Sequence, residues 1–189
     1  MGEIRIIAGK WRGRKISVGD FEGLRPTPDR IRETLFNWLQ SHISEARCLD
    51  LFAGSGVLGL EALSRGAKSV TFIEKLPPAS MALKKIVTTL AANTTCEIIQ
   101  TDAIVWLQQQ KNISSPSMDI IFLDPPFSSG LLLQALKALT HHPLVGAKTL
   151  IYIESAKSLT AEELPPNWQI LKQKQAGEVA YHLVQGARE

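Results

Sequence analysis

Apolar positions along the chain fall into short continuous runs separated by helical repeats, and this order predicts alternating strands and helices. The run at residues 48–52 is short enough for one buried strand. It breaks at Ala53-Gly54-Ser55-Gly56, and a helical pattern begins at Val57. Later apolar runs predict six further strands, at 69–73, 96–100, 118–123, 149–154, 168–174 and 179–184. Strands that alternate with helices predict an α/β fold on a mostly parallel sheet, and the last two runs predict a C-terminal antiparallel hairpin.

The N-terminal segment has a different pattern, which predicts a small β-hairpin around Gly9 and Gly13. Isoleucines lie on one side of it, and a strip of cations with no acid among them lies on the other: Arg5, Lys10, Arg12, Arg14 and Lys15. Trp11 is expected at the tip. Such a strip can neutralise phosphates while an exposed aromatic stacks on an unpaired base. A solvated hairpin whose Trp11 packs on the main domain is an equal alternative.

Residues 27–29 predict the start of the first helix, with Thr27 as N-cap, Pro28 at the first position and Asp29 in the first turn. Its apolar face should cover the sheet. This helix and the residues just before it add three cations to the candidate RNA-binding strip: Arg25, Arg30 and Arg32. We predict residues 1–24 as a basic N-terminal β-hairpin extension and residues 25–189 as a Rossmann-like domain.

The glycine turn indicates a nucleotide-type ligand. Gly54-x-Gly56-x-x-Gly59, with Glu74 about 20 residues further on, matches the dinucleotide fingerprint. Asp50, however, would repel a pyrophosphate and favour the ammonium and sulfonium groups of S-adenosylmethionine. Glu74, after the second strand, is placed to bind ribose hydroxyls. The predicted cofactor-binding residues are Asp50, Phe52, Ala53, Gly54, Ser55, Gly56, Glu74, Lys75, Asp102 and Ala103.

Asp102 follows the third predicted strand, where it can cap the next helix or accept a hydrogen bond from an adenine amino group. The stretch Asp124-Pro125-Pro126-Phe127 follows the nearly all-apolar fourth strand. Proline cannot continue a sheet ladder, so the chain leaves the sheet there, at the edge where such folds bind ligands. A strand-end acid before a turn explains Asp124 but not the two prolines and the aromatic together. These four residues are the candidate catalytic group.

Essentially the whole chain resembles the bacterial 16S ribosomal RNA guanine 2-amino methyltransferases of the RsmD type. The resemblance rests on DLFAGSG, the acid after strand two, DPPF and the terminal hairpin, and on the N-terminal stretches RIIAGKWRGRKI and RPTPDRIRETLFNWL. It implies a Rossmann-like class I adenosylmethionine-dependent methyltransferase fold with a mostly parallel seven-stranded sheet. It also implies methyl transfer from S-adenosyl-L-methionine to the exocyclic 2-amino group of a specific guanine. The implied partner is 16S ribosomal RNA in the small ribosomal subunit or a late assembly intermediate, bound by a monomer.

This chemistry gives roles to the candidate catalytic residues. Asp124 accepts one N–H of the amine, and the carbonyl of Pro125 accepts the other, which turns the nitrogen lone pair toward the methyl group. Pro126 stiffens the segment, and Phe127 stacks on the unstacked base. The methyl donor carries its own leaving group, so no metal is expected.

Composition adds little beyond this. A formal net charge of +3 is too small to indicate nucleic-acid binding by itself. The N-terminus has no apolar signal region and no run approaches the length of a membrane span, so a soluble, cytoplasmic protein is expected. Cys48 and Cys96 fall in predicted strands and are expected to be buried, reduced thiols and not a disulfide or metal pair.

Three alternatives stay open at this point. The nearest is a methyltransferase for another amine: DNA adenine, a different RNA base or a protein glutamine. The second is an NAD-dependent oxidoreductase, which Asp50 and the lack of a hydride-site residue disfavour. The third is a non-catalytic RNA-binding module, which the intact DPPF stretch disfavours.

Overall fold

Seven strands form a central sheet, and a separate two-stranded hairpin lies at the N-terminus. The computed structural model describes residues 2–18, 27–111 and 117–186. The hairpin pairs β1 (Gly2–Arg5) antiparallel to β2 (Lys15–Val18). The strands of the central sheet are β3 (Arg47–Asp50), β4 (Ser69–Glu74), β5 (Cys96–Gln100), β6 (Ile120–Leu123), β7 (Leu150–Ser155), β8 (Gln169–Ala176) and β9 (Val179–Gln185).

The strand order is β5-β4-β3-β6-β7-β9-β8, with β3 to β7 parallel and the last two strands antiparallel. The chain therefore builds outward from β3 in one direction and then returns to build from β6 in the other. Strands β3 and β6 flank the point where this order reverses, and ligands of open α/β sheets bind at the carboxyl ends of the strands there. Asp50 ends β3, and Asp124 follows β6.

In the described ranges, five helices cover the two faces of the sheet: α1 (Asp29–Trp38), α2 (Val57–Ser64), α3 (Pro77–Thr89), α4 (Ala103–Gln110) and α5 (Leu131–Leu139). Helices α1, α2 and α3 pack on one face, and α4 and α5 on the other. Successive side chains of a strand point to opposite faces. Phe122 of β6 accordingly joins the first core, and Ile121 joins the second.

The N-terminal hairpin packs on the same core as α2. Ile4, Ile6 and Ile16 belong to the cluster that contains the α2 side chains. All eight residues of α2 are buried, because the sheet covers one side of this helix and the hairpin covers another. A helix covered in this way carries apolar residues all round, and VLGLEALS does so apart from Glu61 and its terminal Ser64. The predicted boundary between residues 24 and 25 lies outside the described residues.

The start of the first helix differs from the sequence prediction. Helix α1 begins at Asp29, Pro28 takes the N-cap position, and no side chain caps the helix, because the hydroxyl of Thr27 bonds elsewhere. Helix α3 ends at Thr89, before a turn in which Ala91 has a φ of 53°. Within the ranges described, no helix is long and apolar enough to cross a membrane.

The two cysteines are free thiols on strands, as expected for a reduced protein. Cys48 is buried on β3, and Cys96 is half-buried on β5. Burial raises the pKa of both thiols, so both groups stay protonated and unreactive near neutral pH.

Candidate active site

A cleft of about 1010 Å³ opens at the carboxyl ends of the parallel strands. The strand ends bring together residues that lie far apart in the sequence, because parallel strands present the same end at one edge of the sheet. Thirteen of the fourteen predicted cofactor-binding and catalytic residues line it: Asp50, Phe52, Ala53, Gly54, Ser55, Glu74, Lys75, Asp102, Ala103, Asp124, Pro125, Pro126 and Phe127.

Carboxylates take up two of the backbone amides at the glycine turn. Gly54 N–H donates to Glu74 Oε2 at 2.7 Å, and Gly59 N–H donates to Asp50 Oδ2 at 3.2 Å. Leu76 N–H donates to the other oxygen of Glu74 at 2.6 Å, so this carboxylate is held at both ends. A dinucleotide site needs such amides for its pyrophosphate. This turn instead presents acids, which suit a ligand that carries cations and hydroxyl groups and no phosphate.

Gly56 is the predicted residue that does not line the cleft. Its N–H donates to the Ala53 carbonyl at 2.6 Å, within the turn itself. It has a φ of 73°, and a Cβ there would stand 2.4 Å from Leu83 Cδ1 of α3. The structure gives Gly56 a packing role against α3, and its contact with the cofactor stays a prediction. Glycine is required because the turn needs a left-handed residue and α3 packs against it.

Asp102 makes one of its two predicted contacts, the cap of the next helix, and it also pairs with Lys75. Its Oδ1 accepts the N–H groups of Ile104 and Val105 at 2.9 and 3.2 Å, so it is the N-cap of α4. Its Oδ2 accepts Lys75 Nζ at 3.1 Å. Partial burial favours the neutral acid, but the hydrogen bonds from Lys75 and the two amides outweigh burial and lower the pKa of Asp102. An ionised carboxylate thus lies on the cleft beside the Glu74 end of β4.

Three acids, Asp50, Asp124 and Glu154, form what we call the acid cluster. Thr27 Oγ1 lies between two of them, 2.8 Å from Glu154 Oε1 and 3.3 Å from Asp124 Oδ2. Tyr152 O–H donates to the same Glu154 oxygen at 2.8 Å. No ion pair formed by the described residues includes any of the three acids.

Burial raises the pKa of all three acids in the cluster, and charges of neighbouring members add to the rise at Asp124. Burial raises the pKa of Asp50 to about 7, against the stabilising hydrogen bond from Gly59. Burial and the charges of Glu154 and Asp50 raise the pKa of Asp124 well above its usual range. The pKa of Glu154 also rises through burial, although hydrogen bonds from Tyr152 and Thr27 oppose the rise. A cation that enters the cleft would be favoured by all three carboxylates.

The DPPF segment leaves β6 as a rigid arm over the cleft. Asp124 keeps part of its surface open, and Pro125 is buried. Phe127 is 45% exposed at the start of a single 3-10 turn, Phe127–Ser129. An aromatic ring exposed beside a half-buried acid offers a flat apolar face to a planar ligand.

Six of the nine predicted RNA-binding residues are exposed cations: Arg5, Lys10, Arg12, Arg14, Lys15 and Arg30. Lys15 pairs with Glu3 at 2.8 Å, and Arg30 lines the cleft. Arg25 lies outside the described residues. The exposed cations of the hairpin and of α1 are those available to phosphates.

Two predicted RNA-binding residues are buried, so a direct RNA contact for them is wrong. Trp11 is 7% exposed and belongs to the core, which is the alternative in which this ring packs on the main domain. Arg32 is fully buried. It donates to Glu61 Oε2 at 3.4 Å, to Asp29 Oδ1 at 2.6 Å and to the Arg5 carbonyl at 2.9 Å.

Arg32 is part of a buried polar group that fastens the hairpin to the sheet domain. Glu61 of α2 accepts the N–H groups of Ile7 and Ala8 at 2.9 and 3.0 Å, as well as Arg65 Nε at 2.8 Å. Ser64 Oγ accepts Trp11 N–H and donates to the Ala8 carbonyl. We call Arg32, Glu61, Ser64 and Arg65 the hairpin anchor.

Sequence analysis missed the parts played by Thr27, Tyr152 and Glu154. Thr27 resembled an N-cap, and Tyr152 and Glu154 were assigned only to the predicted strand at 149–154. The position of Glu154 was informative nevertheless, because it lies near the carboxyl end of β7, next to the strand that Asp124 follows. Its link to Thr27, more than 120 residues away in sequence, left no local pattern.

Comparisons with known proteins agree with this geometry. The family model described as Conserved hypothetical protein 95 matches residues 4–185. A Haemophilus influenzae relative named Ribosomal RNA small subunit methyltransferase D is 48% identical over 185 residues, which cover 97% of this chain and 94% of the relative.

The chain belongs to this family. The Escherichia coli K12 member of the same name is 47% identical over 184 residues, with 97% of this chain and 90% of that relative covered. The solved structure of the Escherichia coli protein yhhF covers both chains in full at 44% identity, with a TM-score of 0.88. The family match and the strand order confirm the predicted fold class, a Rossmann-like methyltransferase fold with a C-terminal antiparallel hairpin.

Proposed function

We propose that this protein transfers a methyl group from S-adenosyl-L-methionine to the exocyclic 2-amino group of a specific guanine in bacterial 16S ribosomal RNA. The observation that carries the proposal is the acid-lined cleft, in which Asp124 and Phe127 follow β6 beside a glycine turn whose amides already bind carboxylates. The relatives' name, Ribosomal RNA small subunit methyltransferase D, supports ribosomal RNA of the small subunit as the substrate.

The residues of the cleft fit the cofactor. When bound, S-adenosyl-L-methionine supplies an electrophilic methyl group with a thioether as its leaving group. Glu74, fixed by Gly54 and Leu76, is placed to accept ribose hydroxyls, and Asp102 and Ala103 line the same part of the cleft. Asp50 and its acidic neighbours favour the cofactor's positive groups.

The substrate amine is held by the DPPF segment. Asp124 accepts one of its N–H groups, and the Pro125 carbonyl accepts the other, so that the nitrogen lone pair faces the methyl group. Fixed acceptors that need no reorganisation lower the barrier most effectively in a buried site. Phe127 stacks on the guanine, which must leave the RNA stack to reach the cleft. Arg30 and the exposed hairpin cations bind the flanking phosphates.

The test offers purified protein and tritiated S-adenosylmethionine to three substrates in parallel: naked small-subunit RNA, assembled small subunits and duplex DNA. Label should enter small-subunit RNA, free or assembled, and nucleoside analysis should find it on the 2-amino group of guanosine. Label on adenine in DNA or RNA would favour another amine methyltransferase. Binding of NAD without binding of S-adenosylmethionine would contradict the proposal entirely.

A further inference from the structure

We propose that Thr27 and Glu154 are positioning residues that equip Asp124 to take the proton released by the methylated amine. The proposal rests on the proposed function and deepens it. It starts from a single hydroxyl that lies within hydrogen-bond distance of two carboxyl groups. Glu154 is buried on β7, and Asp124 is half-buried directly after the adjacent strand β6.

The Thr27 hydroxyl has one proton for two acceptors. The 2.8 Å distance to Glu154 Oε1 is short, and the 3.3 Å distance to Asp124 Oδ2 is long. The proton therefore belongs to the Glu154 contact, and a lone pair of Thr27 Oγ1 faces Asp124. That arrangement leaves an ionised Asp124 without a donor from Thr27, but it gives a protonated Asp124 an acceptor.

The surroundings of Glu154 favour a Thr27 hydroxyl that donates to Glu154. Tyr152 O–H donates to the same oxygen that Thr27 contacts, so two hydroxyl donors converge on Glu154. Hydrogen bonds to a carboxylate favour its ionised form. The negative charge of Glu154 then lies beside Asp124, and the two effects together make Asp124 the member of the pair that takes a proton first.

The proton transfer balances as follows. Methyl transfer forms an N–C bond as the S–C bond breaks, and it leaves the nitrogen with both of its protons and a positive charge. The N–H bond to Asp124 breaks, its electron pair returns to nitrogen, and an O–H bond forms on Asp124. The new O–H donates to Thr27 Oγ1, which continues to donate to Glu154. The secondary amine product is neutral, and the proton leaves to water when the cleft opens to solvent.

Other charged groups around Asp124 must be considered in a pH experiment. Among the described residues, those that face it or share the cleft with it are Asp50 on β3, Glu74 on β4, Lys75 after β4, Asp102 before α4, Arg30 on α1, Tyr152 and Glu154 on β7, and Glu178 between β8 and β9. Among these groups in the described residues, only Glu154 shares a hydrogen-bond partner with Asp124, and that partner is the Thr27 hydroxyl.

The experiment measures the pH dependence of single-turnover methyl transfer to small-subunit RNA, with saturating cofactor and substrate. The variants are Glu154→Gln, Thr27→Val and Thr27→Ser, and the control is Glu162→Gln on the exposed 3-10 turn Ala161–Glu163. We expect Glu154→Gln and Thr27→Val to move the midpoint of the pH–rate profile down by about one unit and to lower the plateau about tenfold. Thr27→Ser should restore the wild-type midpoint, and Glu162→Gln should not move it.

Unchanged midpoints in both Glu154→Gln and Thr27→Val would show that Asp124 acts alone, and the proposal would be wrong while the proposed function stood. Equal losses at every pH, without a shift, would also overturn it, because they would indicate a merely structural role. A wild-type protein that methylates no RNA amine would contradict the proposed function, and this inference with it. Thermal unfolding of each variant identifies any loss that comes from misfolding.

Discussion

The protein buries charged side chains in two places, and it treats them in opposite ways. In the hairpin anchor, Glu61 accepts hydrogen bonds from two backbone amides and from Arg32 and Arg65, so its charge is fully compensated. In the acid cluster, Asp50, Asp124 and Glu154 lie together, and none of the described residues pairs with them in an ion pair. The charges of the first arrangement are compensated by ion pairs within the chain. The second arrangement would be favourable for a cationic ligand.

This difference distinguishes buried charges that hold the fold together from buried charges that are suited to bind a ligand. A buried ion pair holds elements in register, and loss of one partner leaves the other uncompensated. Acids that repel one another destabilise the free protein, and such strain persists where a ligand relieves it. The comparison therefore assigns attachment of the hairpin to Glu61 and chemistry to the acid cluster.

The largest effect on stability should come from breaking the anchor. Glu61→Gln leaves the buried Arg32 guanidinium without a carboxylate partner on α2, which should cost about 3–5 kcal/mol. Urea unfolding of this variant and of Glu33→Gln, an exposed acid on α1, measures the effect. Glu33→Gln should stay within about 0.5 kcal/mol of the wild type. Equal stability of Glu61→Gln and the wild type would mean that the anchor does not hold the hairpin.

In the acid cluster, removing a buried charge should stabilise the folded protein instead of destabilising it. The pKa of Asp50 is about 7 in the folded protein and near 3.8 ordinarily, so the folded state binds its proton more tightly than the unfolded state. That contribution to stability is fully present below pH 3.8 and is lost as the pH rises through 7. Relative to Asp50→Asn, the wild type should lose up to about 4 kcal/mol over this window, at 1.36 kcal/mol per pKa unit.

Unfolding curves of the cofactor-free protein at several pH values test this prediction. The difference between the wild type and Asp50→Asn should shrink when S-adenosylmethionine is added, because the ligand's cations compensate the carboxylate. A difference that does not change with pH would show that Asp50 keeps its ordinary pKa in the folded protein and that the cluster is not strained.

A smaller loss should follow from Gly56→Ala. The left-handed backbone disfavours alanine by about 1–2 kcal/mol, and the contact with Leu83 adds to this. Cofactor affinity of the folded variant should fall little, since Gly56 faces α3. Leu83→Ala should by itself cost about 2–5 kcal/mol, because Leu83 is fully buried, and a double-mutant cycle should show that the two losses are less than additive. Calorimetry that finds folded Gly56→Ala unable to bind S-adenosylmethionine would instead return this glycine to the cofactor site.

The smallest effects should come from replacing single exposed cations of the hairpin, each of which should weaken RNA binding only slightly. Arg12→Ala should reduce the slope of log affinity against log salt by about one unit, as expected for one lost phosphate contact. Lys137→Ala is the control, because Lys137 is exposed on α5, across the sheet from the hairpin. Fluorescence titrations with small-subunit RNA over a salt series measure both slopes. Equal slopes for Arg12→Ala and the wild type would show that this residue is only solvated.

The fold followed from the sequence because its signals are local. Apolar runs, the glycine turn and the proline pair each mark an element or its end, and the seven-stranded sheet has the predicted strands in place. The same signals placed Asp50, Glu74 and Asp124 at one edge. What they could not give was pairing between distant residues: an arginine on an amphipathic helix has the same pattern whether it faces solvent or, like Arg32, a buried Glu61.

The predicted RNA contact of Trp11 and the predicted N-cap role of Thr27 were wrong for the same reason. An aromatic among cations predicts an exposed ring unless the partner surface on α2 is known. A threonine before a proline predicts an N-cap unless a carboxylate from another strand, here Glu154, takes its hydroxyl. The burial of both residues depends on long-range packing, which composition and spacing do not encode.

The most direct test of the account is the effect of Asp124→Asn on methyl transfer. Asparagine keeps the shape and one carbonyl oxygen but loses the charge that stabilises the developing cationic nitrogen. Single-turnover methylation with saturating cofactor and small-subunit RNA should slow by about 100-fold or more, while S-adenosylmethionine affinity, measured separately, changes little. Methyl transfer by Asp124→Asn at nearly the wild-type rate would contradict the account, and DPPF would then be only a turn.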